Sequence, residues 1–202
     1  PMAERLDPTV HAALARSLGS LSLAAALMAT LDWALHRAAS PGQRMDVAHL
    51  ALRQGQEMAA YALARMAAGP DKEARHAVAT PTQDRRFADP AWQQWPFNLL
   101  HQSFVLSEQW WAAATHGVWG VDKHHEDMVA FAARQFLDIF SPGNQVATNP
   151  VVLNRTLQQG GANLMRGALH LLEDARRRAA GAPPAGAENF VVGRDVGITP
   201  GK

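Results

Sequence analysis

The 202-residue chain contains no cysteine. That excludes a disulfide, a thiolate metal site and a cysteine nucleophile within it, and it fits a reducing compartment. Net charge is nearly absent too. Nineteen Lys and Arg against eighteen Asp and Glu leave a formal +1, so no general attraction to nucleic acid or anionic lipid is expected. A long apolar run free of charge is also missing. The nearest candidate, LGSLSLAAALMATLDWALHRAA, is interrupted by Asp32, His36 and Arg37, and no basic segment precedes it. It reads as a helix of a soluble protein, neither a membrane anchor nor a signal peptide, which suits a cytoplasmic location. The leading Pro1-Met2 reads as an expression scar. No G-x-S-x-G or G-x-C-x-G elbow occurs, and no glycine loop follows a strand to cradle phosphate. Catalysis by this chain alone is not expected, and no cofactor is implied.

Helix signals fill most of what is present, and 48% hydrophobic residues suffice for a core. From Ser20 to Ala39 the positions Ala24, Met28, Leu31 and Leu35 alternate in steps of four and three, one face of a helix. The sequence SPG at Ser40 to Gly42 breaks that helix and starts another. In the second, Met45, Ala48, Leu52, Gly55, Ala59, Ala62 and Met66 form a seam of mostly small residues. Residues 1–69 are therefore expected to form a helical hairpin extension that packs on the rest of the chain or on a second copy. Residues 70–86 lose the periodicity and read as a linker, and Arg85-Arg86 reads as part of a solvated helix end.

Residues 87–180 are expected to form a bundle of about three longer helices. The first carries Phe97, Leu100, Phe104, Trp111 and Val118 on one stripe. Asp122 caps the second, whose apolar face is Val129, Ala133, Phe136 and Phe140. Asn149-Pro150 opens a third that continues through Gly160-Gly161, where two mid-helix glycines need a bend or a close contact to justify them. Residues 181–202 form an extended tail with strand-like valines and nothing to pair with. The fold class is all-α.

Nine histidines invite a metal reading, above all KHHEDM with His124, His125, Glu126 and Asp127. Adjacent helical residues point in different directions, so first-turn polar residues with the acids favouring the dipole are the stronger reading, and no metal is expected. The aromatics are different. Trp92, Trp95, Phe97, Phe104, Trp110, Trp111 and Trp119 divide about evenly between core and interface, since tryptophan is enriched at interfaces. Trp92, Trp95, Phe97, Phe104, Trp110 and Trp111 are the candidate contacts.

The ordered segments DRRFADPAWQQWPFNLLHQSFVLSEQWW from Asp84, ARQFLDIFSPGN from Ala133, TNPVVLNRTLQQGGANLMRGALHLLED from Thr148 and the terminal FVVGRDVGITPGK resemble the N-terminal region of polyhydroxyalkanoate synthases. LDWALHRAASPGQRMDVAHLALRQ, from Leu31, is similar to a shorter helical extension found in one branch of that family. The resemblance implies an α/β-hydrolase catalytic domain beyond Lys202, polymerising (R)-3-hydroxyacyl-CoA through a Cys-His-Asp triad. No catalytic residue carries over to this sequence. It also implies a homodimer, contact with the catalytic domain, and attachment to the surface of polyester granules or to a granule-associated protein. Gly143, Gln145, Val146 and Val151 depart from the residues the family commonly has in this loop, which bears on how the loop docks. The other reading is a helical module that binds a lipid or partner surface and is unrelated to polyester.

Overall fold

The computed structural model describes residues 2–17, 22–68 and 85–187, all helix, turn or loop. Seven α-helices appear among them: α1 (Met2–Ser17), α2 (Leu23–Ala38), α3 (Pro41–Ala68), α4 (Phe97–Thr115), α5 (Lys123–Ile139), α6 (Pro150–Gln158) and α7 (Ala162–Ala179), with short 3-10 turns at Pro90–Gln93 and Pro142–Asn144. The class is all-α, as the periodicity indicates. Nearly all of the expected linker, and most of the tail, lie outside the described residues. Helix α1 has no counterpart in the sequence reading, because Pro8 stands inside it and proline normally argues against a helix interior.

Contacts divide the chain into two units, Pro1–Val151 and Val152–Lys202. In the first, α2 and α3 are the expected hairpin, with Pro41 at the start of α3. Helix α2 packs on α5, α3 on α4, and α4 on α5. The core lies where Phe87, Trp92 and Phe104 meet, with Phe97 and Leu137 against them. Phe87 sits edge-on to Trp92 at 4.8 Å and to Phe104 at 5.8 Å, and stacks on His101 at 4.5 Å. Such aromatic pairs add about 0.5–1.5 kcal/mol each beyond the area they bury. Asp89 caps the 3-10 turn that delivers Trp92, accepting from the backbone of Ala91 at 2.9 Å.

Arg86, expected at a solvated helix end, is instead a clasp. Its guanidinium donates to both carboxylate oxygens of Glu108 on α4 at 2.8 and 3.0 Å and to Asp138 on α5 at 2.9 Å. It lies 5.5 Å from the ring centre of Phe87 and 5.2 Å from that of Phe104. The core aromatics thus set the position of a cation that ties two helices together.

The hairpin docks by faces the periodicity did not select. On α2 the Met28, Leu31 and Leu35 stripe is exposed, while Ala29 is buried and Asp32, Trp33, His36 and Arg37 are half-buried. On α3 the buried positions are Val47, Gln54, Tyr61 and Arg65, whereas Met45, Leu52 and Met66 of the expected seam are exposed. The reason is visible at the end of α4, whose last carbonyls have no partner within the helix. Trp33 and Arg37 both donate to the carbonyl of Ala114, at 3.3 and 2.9 Å, and Gln43 donates to that of His116 at 2.9 Å. Polar groups on the hairpin complete a polar helix end, and that requirement outranks the apolar stripe.

On α5 the reading is half met: Val129 and Ala133 are half-buried, but Phe136 and Phe140 are exposed, with ring centres 4.8 Å apart. The loop 141–149 ties itself down. Asn144 and Gln145 donate to the α5 carbonyls of Asp138 and Ile139, Thr148 to that of Pro142 and Asn149 to that of Gly143.

In the second unit the expected single helix is two. Gly160 and Gly161 have φ of +54° and +85°, a left-handed conformation that side chains with a Cβ rarely adopt, so the chain turns there and α7 begins afresh. Asn163 crosses the turn to donate to the Thr156 hydroxyl at 2.8 Å. Leu164, Met165, Leu169 and Leu172 make an exposed apolar stripe along α7.

Candidate interaction surface

The six candidate aromatics separate into three groups. Trp92 is 1% exposed and Phe104 7% exposed; both are spent on the core, which removes them from the surface and corrects their place among the candidate contacts. Phe97 is half-buried against Trp92, edge-on at 6.4 Å. Trp110 is half-buried, and its indole N–H donates to the carbonyl of Val47 on α3 at 3.2 Å. Trp111 stands perpendicular to it, centroids 5.3 Å apart, at 37% exposure. Trp95 is 61% exposed. Trp119, outside the six, is 77% exposed in the turn before α5.

Trp110 and Trp111 edge a groove between α3 and α4 of about 310 Å³. Ala51, Gly55, Ser103 and Ser107 hold its walls apart, and Gln54, Met58 and Leu106 line it as well. None of these side chains is ionisable at neutral pH. Further along the same two helices the contact turns polar, with Asn98 donating to the Tyr61 hydroxyl at 3.0 Å.

A second cluster lies between α2 and α5. The Asp32 carboxylate accepts from His125 Nδ1 at 2.8 Å and from the backbone N–H of Asp122 at 3.2 Å, and His36 Nδ1 lies 3.0 Å away. An ionised carboxylate only accepts, so the His125 proton sits on Nδ1. The His125 bond, first among several causes, holds the Asp32 carboxyl below its ordinary value. Gly120, at φ +88°, leaves space for the His36 ring, since a Cβ there would stand 2.5 Å from His36 Cδ2. Glu126 accepts from Lys123 at 2.9 Å and from the Gly117 backbone at 2.6 Å, and its carboxyl too is lowered, chiefly by Lys123. The first-turn reading of KHHEDM accounts for Lys123, Glu126 and Asp127. It missed the partner of His125, which lies 93 positions away. The one available signal was Asp32 and His36 at helical spacing, interrupting the apolar run of α2.

Residues 83–202 match the family described as poly-beta-hydroxybutyrate polymerase (PhaC) N-terminus, and residues 1–43 match poly-beta-hydroxybutyrate polymerase N terminal. The chain belongs to this polymerase N-terminal family. It is 39% identical over 130 residues to the poly(3-hydroxyalkanoate) polymerase of Methylorubrum extorquens, covering 62% of this chain and 21% of that protein. The corresponding subunit PhaC of Rhizobium etli is 34% identical over 123 residues, 59% of this chain and 19% of that one. That of Cupriavidus necator is 31% identical over 122 residues, 60% and 20%. The chain thus spans about a fifth of the length of these relatives. No solved structure matches.

Within this polymerase N-terminal region, two of the four departing loop residues have defined roles. Gln145 holds the α5 terminus through Ile139. At Gly143 an added Cβ would come within 4.0 Å of Trp92, so the loop lies against the core tryptophan. Val146 and Val151 are exposed. Among the described residues no helix is long and apolar enough to cross a membrane.

Proposed function

We propose that this chain is a non-catalytic, adhesive region of a polyhydroxyalkanoate synthase. In this reading its outward apolar faces support the catalytic region, pair with a second copy and hold the enzyme at the polyester granule or at a granule-bound protein. The parent enzyme would polymerise (R)-3-hydroxyacyl-CoA with release of CoA. The observation that carries this reading is the orientation of α2: its polar side is turned to the body and its leucines and Met28 to the outside. Apolar surface of this extent on a folded chain marks an interaction site.

The test is co-sedimentation of the purified chain with polyester granules, alongside its mass by light scattering. Leu27→Glu with Leu31→Glu should abolish granule binding or lower the mass while the helical circular dichroism is kept. Unchanged binding and mass would defeat the reading. Binding to phosphatidylcholine vesicles with indifference to granules would favour the lipid-surface alternative, which the exposed apolar stripes of α2 and α7 would serve.

A further inference from the structure

We infer that the cleft between the outer side of α2 and the turn leading into α5 is a docking site for a basic amphipathic helix of a partner protein, an inference that rests on the adhesive reading above and names the partner for part of the α2 face. The cleft has a volume of about 530 Å³. Helix α2 contributes Met28, Leu31 and Leu35 to its lining, the turn contributes Val121, and each side contributes a carboxylate, Asp32 and Asp122. The three α2 side chains recur in steps of three and four and are exposed, a ridge about 10 Å long that two turns of a second helix would cover. The cleft is preformed. The Asp32 carboxylate accepts from His125 Nδ1 at 2.8 Å and from the Asp122 backbone N–H at 3.2 Å, which ties its two sides together with no ligand present.

Charge decides the occupant. No Lys or Arg lines the cleft, and the neighbouring Lys123 has its ammonium on Glu126 and Asp127 at 2.9 and 2.7 Å. Asp122 uses Oδ1 to cap α5, accepting from the backbone N–H groups of His124 and His125 at 2.9 and 3.3 Å. Its Oδ2 has no hydrogen-bond partner among the described residues, and the residue is exposed. An uncharged surface gives that carboxylate nothing to bind, and an anionic lipid surface repels it. A two-fold pairing of copies through this face brings the same patch against itself and sets acid against acid. A helix with leucines on one side and Lys or Arg beside them matches both the ridge and the carboxylate. Trp119 is exposed and next in the chain to the lining Gly120, where its ring face suits the same cations.

The experiment titrates the 15N-labelled chain with a synthetic amphipathic helix built only of Leu and Lys, and separately with its Leu/Glu counterpart. The Leu/Lys peptide should move the Trp119 indole and the Gly120 and Val121 amide signals together, with an affinity that falls as salt is raised. Leu31→Lys, at an exposed position, should weaken binding about tenfold. Asp122→Ser keeps a capping side chain but removes the charge, and should weaken it several-fold with the helical circular dichroism kept. Equal binding of the Leu/Glu peptide, signals that move only on α7, or full affinity in both variants would each overturn the inference. So would a mass by light scattering that Leu31→Lys halves, because a second copy then holds the cleft. Granule co-sedimentation of the wild type separates the two readings: its loss with peptide binding intact defeats the adhesive function at the granule, whereas its persistence without Leu/Lys binding defeats only the partner assigned to the cleft.

Discussion

Arg37 donates to the carbonyl of Ala114 across 77 positions of sequence, at 2.9 Å, and so places a cation at the negative end of α4. Trp33 donates to the same oxygen. Together they make the hairpin a cap for a helix it does not continue. Arg37→Met is expected to lower the free energy of unfolding by about 1–2 kcal/mol, measured by urea denaturation. An unchanged midpoint would mean that Trp33 alone suffices.

Asp32 governs an acid-sensitive joint. Its carboxyl is held below the ordinary value by His125 first and by the Asp122 backbone and His36 besides. A depressed carboxyl contributes stability that is complete above its unfolded pKa, about 4, and is lost as pH falls through the lower folded value. The melting temperature should therefore drop on acidification below about pH 4, and Asp32→Asn should flatten that drop. The flattening will be partial, because Glu126 is shifted in the same direction.

Arg86 offers a double-mutant test. Arg86→Met keeps much of the side chain's packing over Phe87 and Phe104 but removes the charge, and should cost about 1–3 kcal/mol because both carboxylates lose a partner. Glu108→Gln in that background should add little, since the interaction is already gone. Additive losses would show that Glu108 stabilises by another route.

The tryptophans should respond oppositely. Trp92→Ala empties the core and should cost about 3–5 kcal/mol. Trp95→Ala and Trp119→Ala should stay within about 0.5 kcal/mol of wild type. If the adhesive reading holds, they reduce granule binding instead, which a parallel melt and sedimentation assay separates.

Gly161→Ala introduces a Cβ at a left-handed position and should cost about 1–2 kcal/mol locally. Hydrogen exchange would read this as faster opening of the Gly161 to Leu164 and Thr156 contacts, while α4 amides stay unchanged.

Several helix starts were legible in the sequence because they rest on local chemistry, with Pro41, Asp122 and Asn149-Pro150 each beginning a helix as their side chains dictate, whereas α1 and the break between α6 and α7 were not. Which face each helix buries was less legible. Val129 and Ala133 follow the stripe, but α2 and α3 do not, since periodicity weighs apolar area and is blind to orphan carbonyls 77 residues away. Arg86 and His125 were hidden for the same reason, their partners being distant in sequence. Trp92 and Trp95, three residues apart in one aromatic run, divide between core and surface because a short turn aims them differently, and composition carries no sign of that. The groove at Gln54 depends on small residues in two helices facing each other, a coincidence of register that a single helical pattern does not encode.

The inverted seating of α2 bears on what remains when the hairpin is cut away. A body beginning near Arg85 would lose the donors that quiet the carbonyls of Ala114 and His116, and water can replace those donors directly. The same cut removes α3, uncovering Leu106 and depriving the Trp110 indole of the Val47 carbonyl, so the shortened chain should keep its helical signal but melt at a lower temperature. The isolated hairpin, shorn of the body, keeps its oily outer side and is the piece expected to clump.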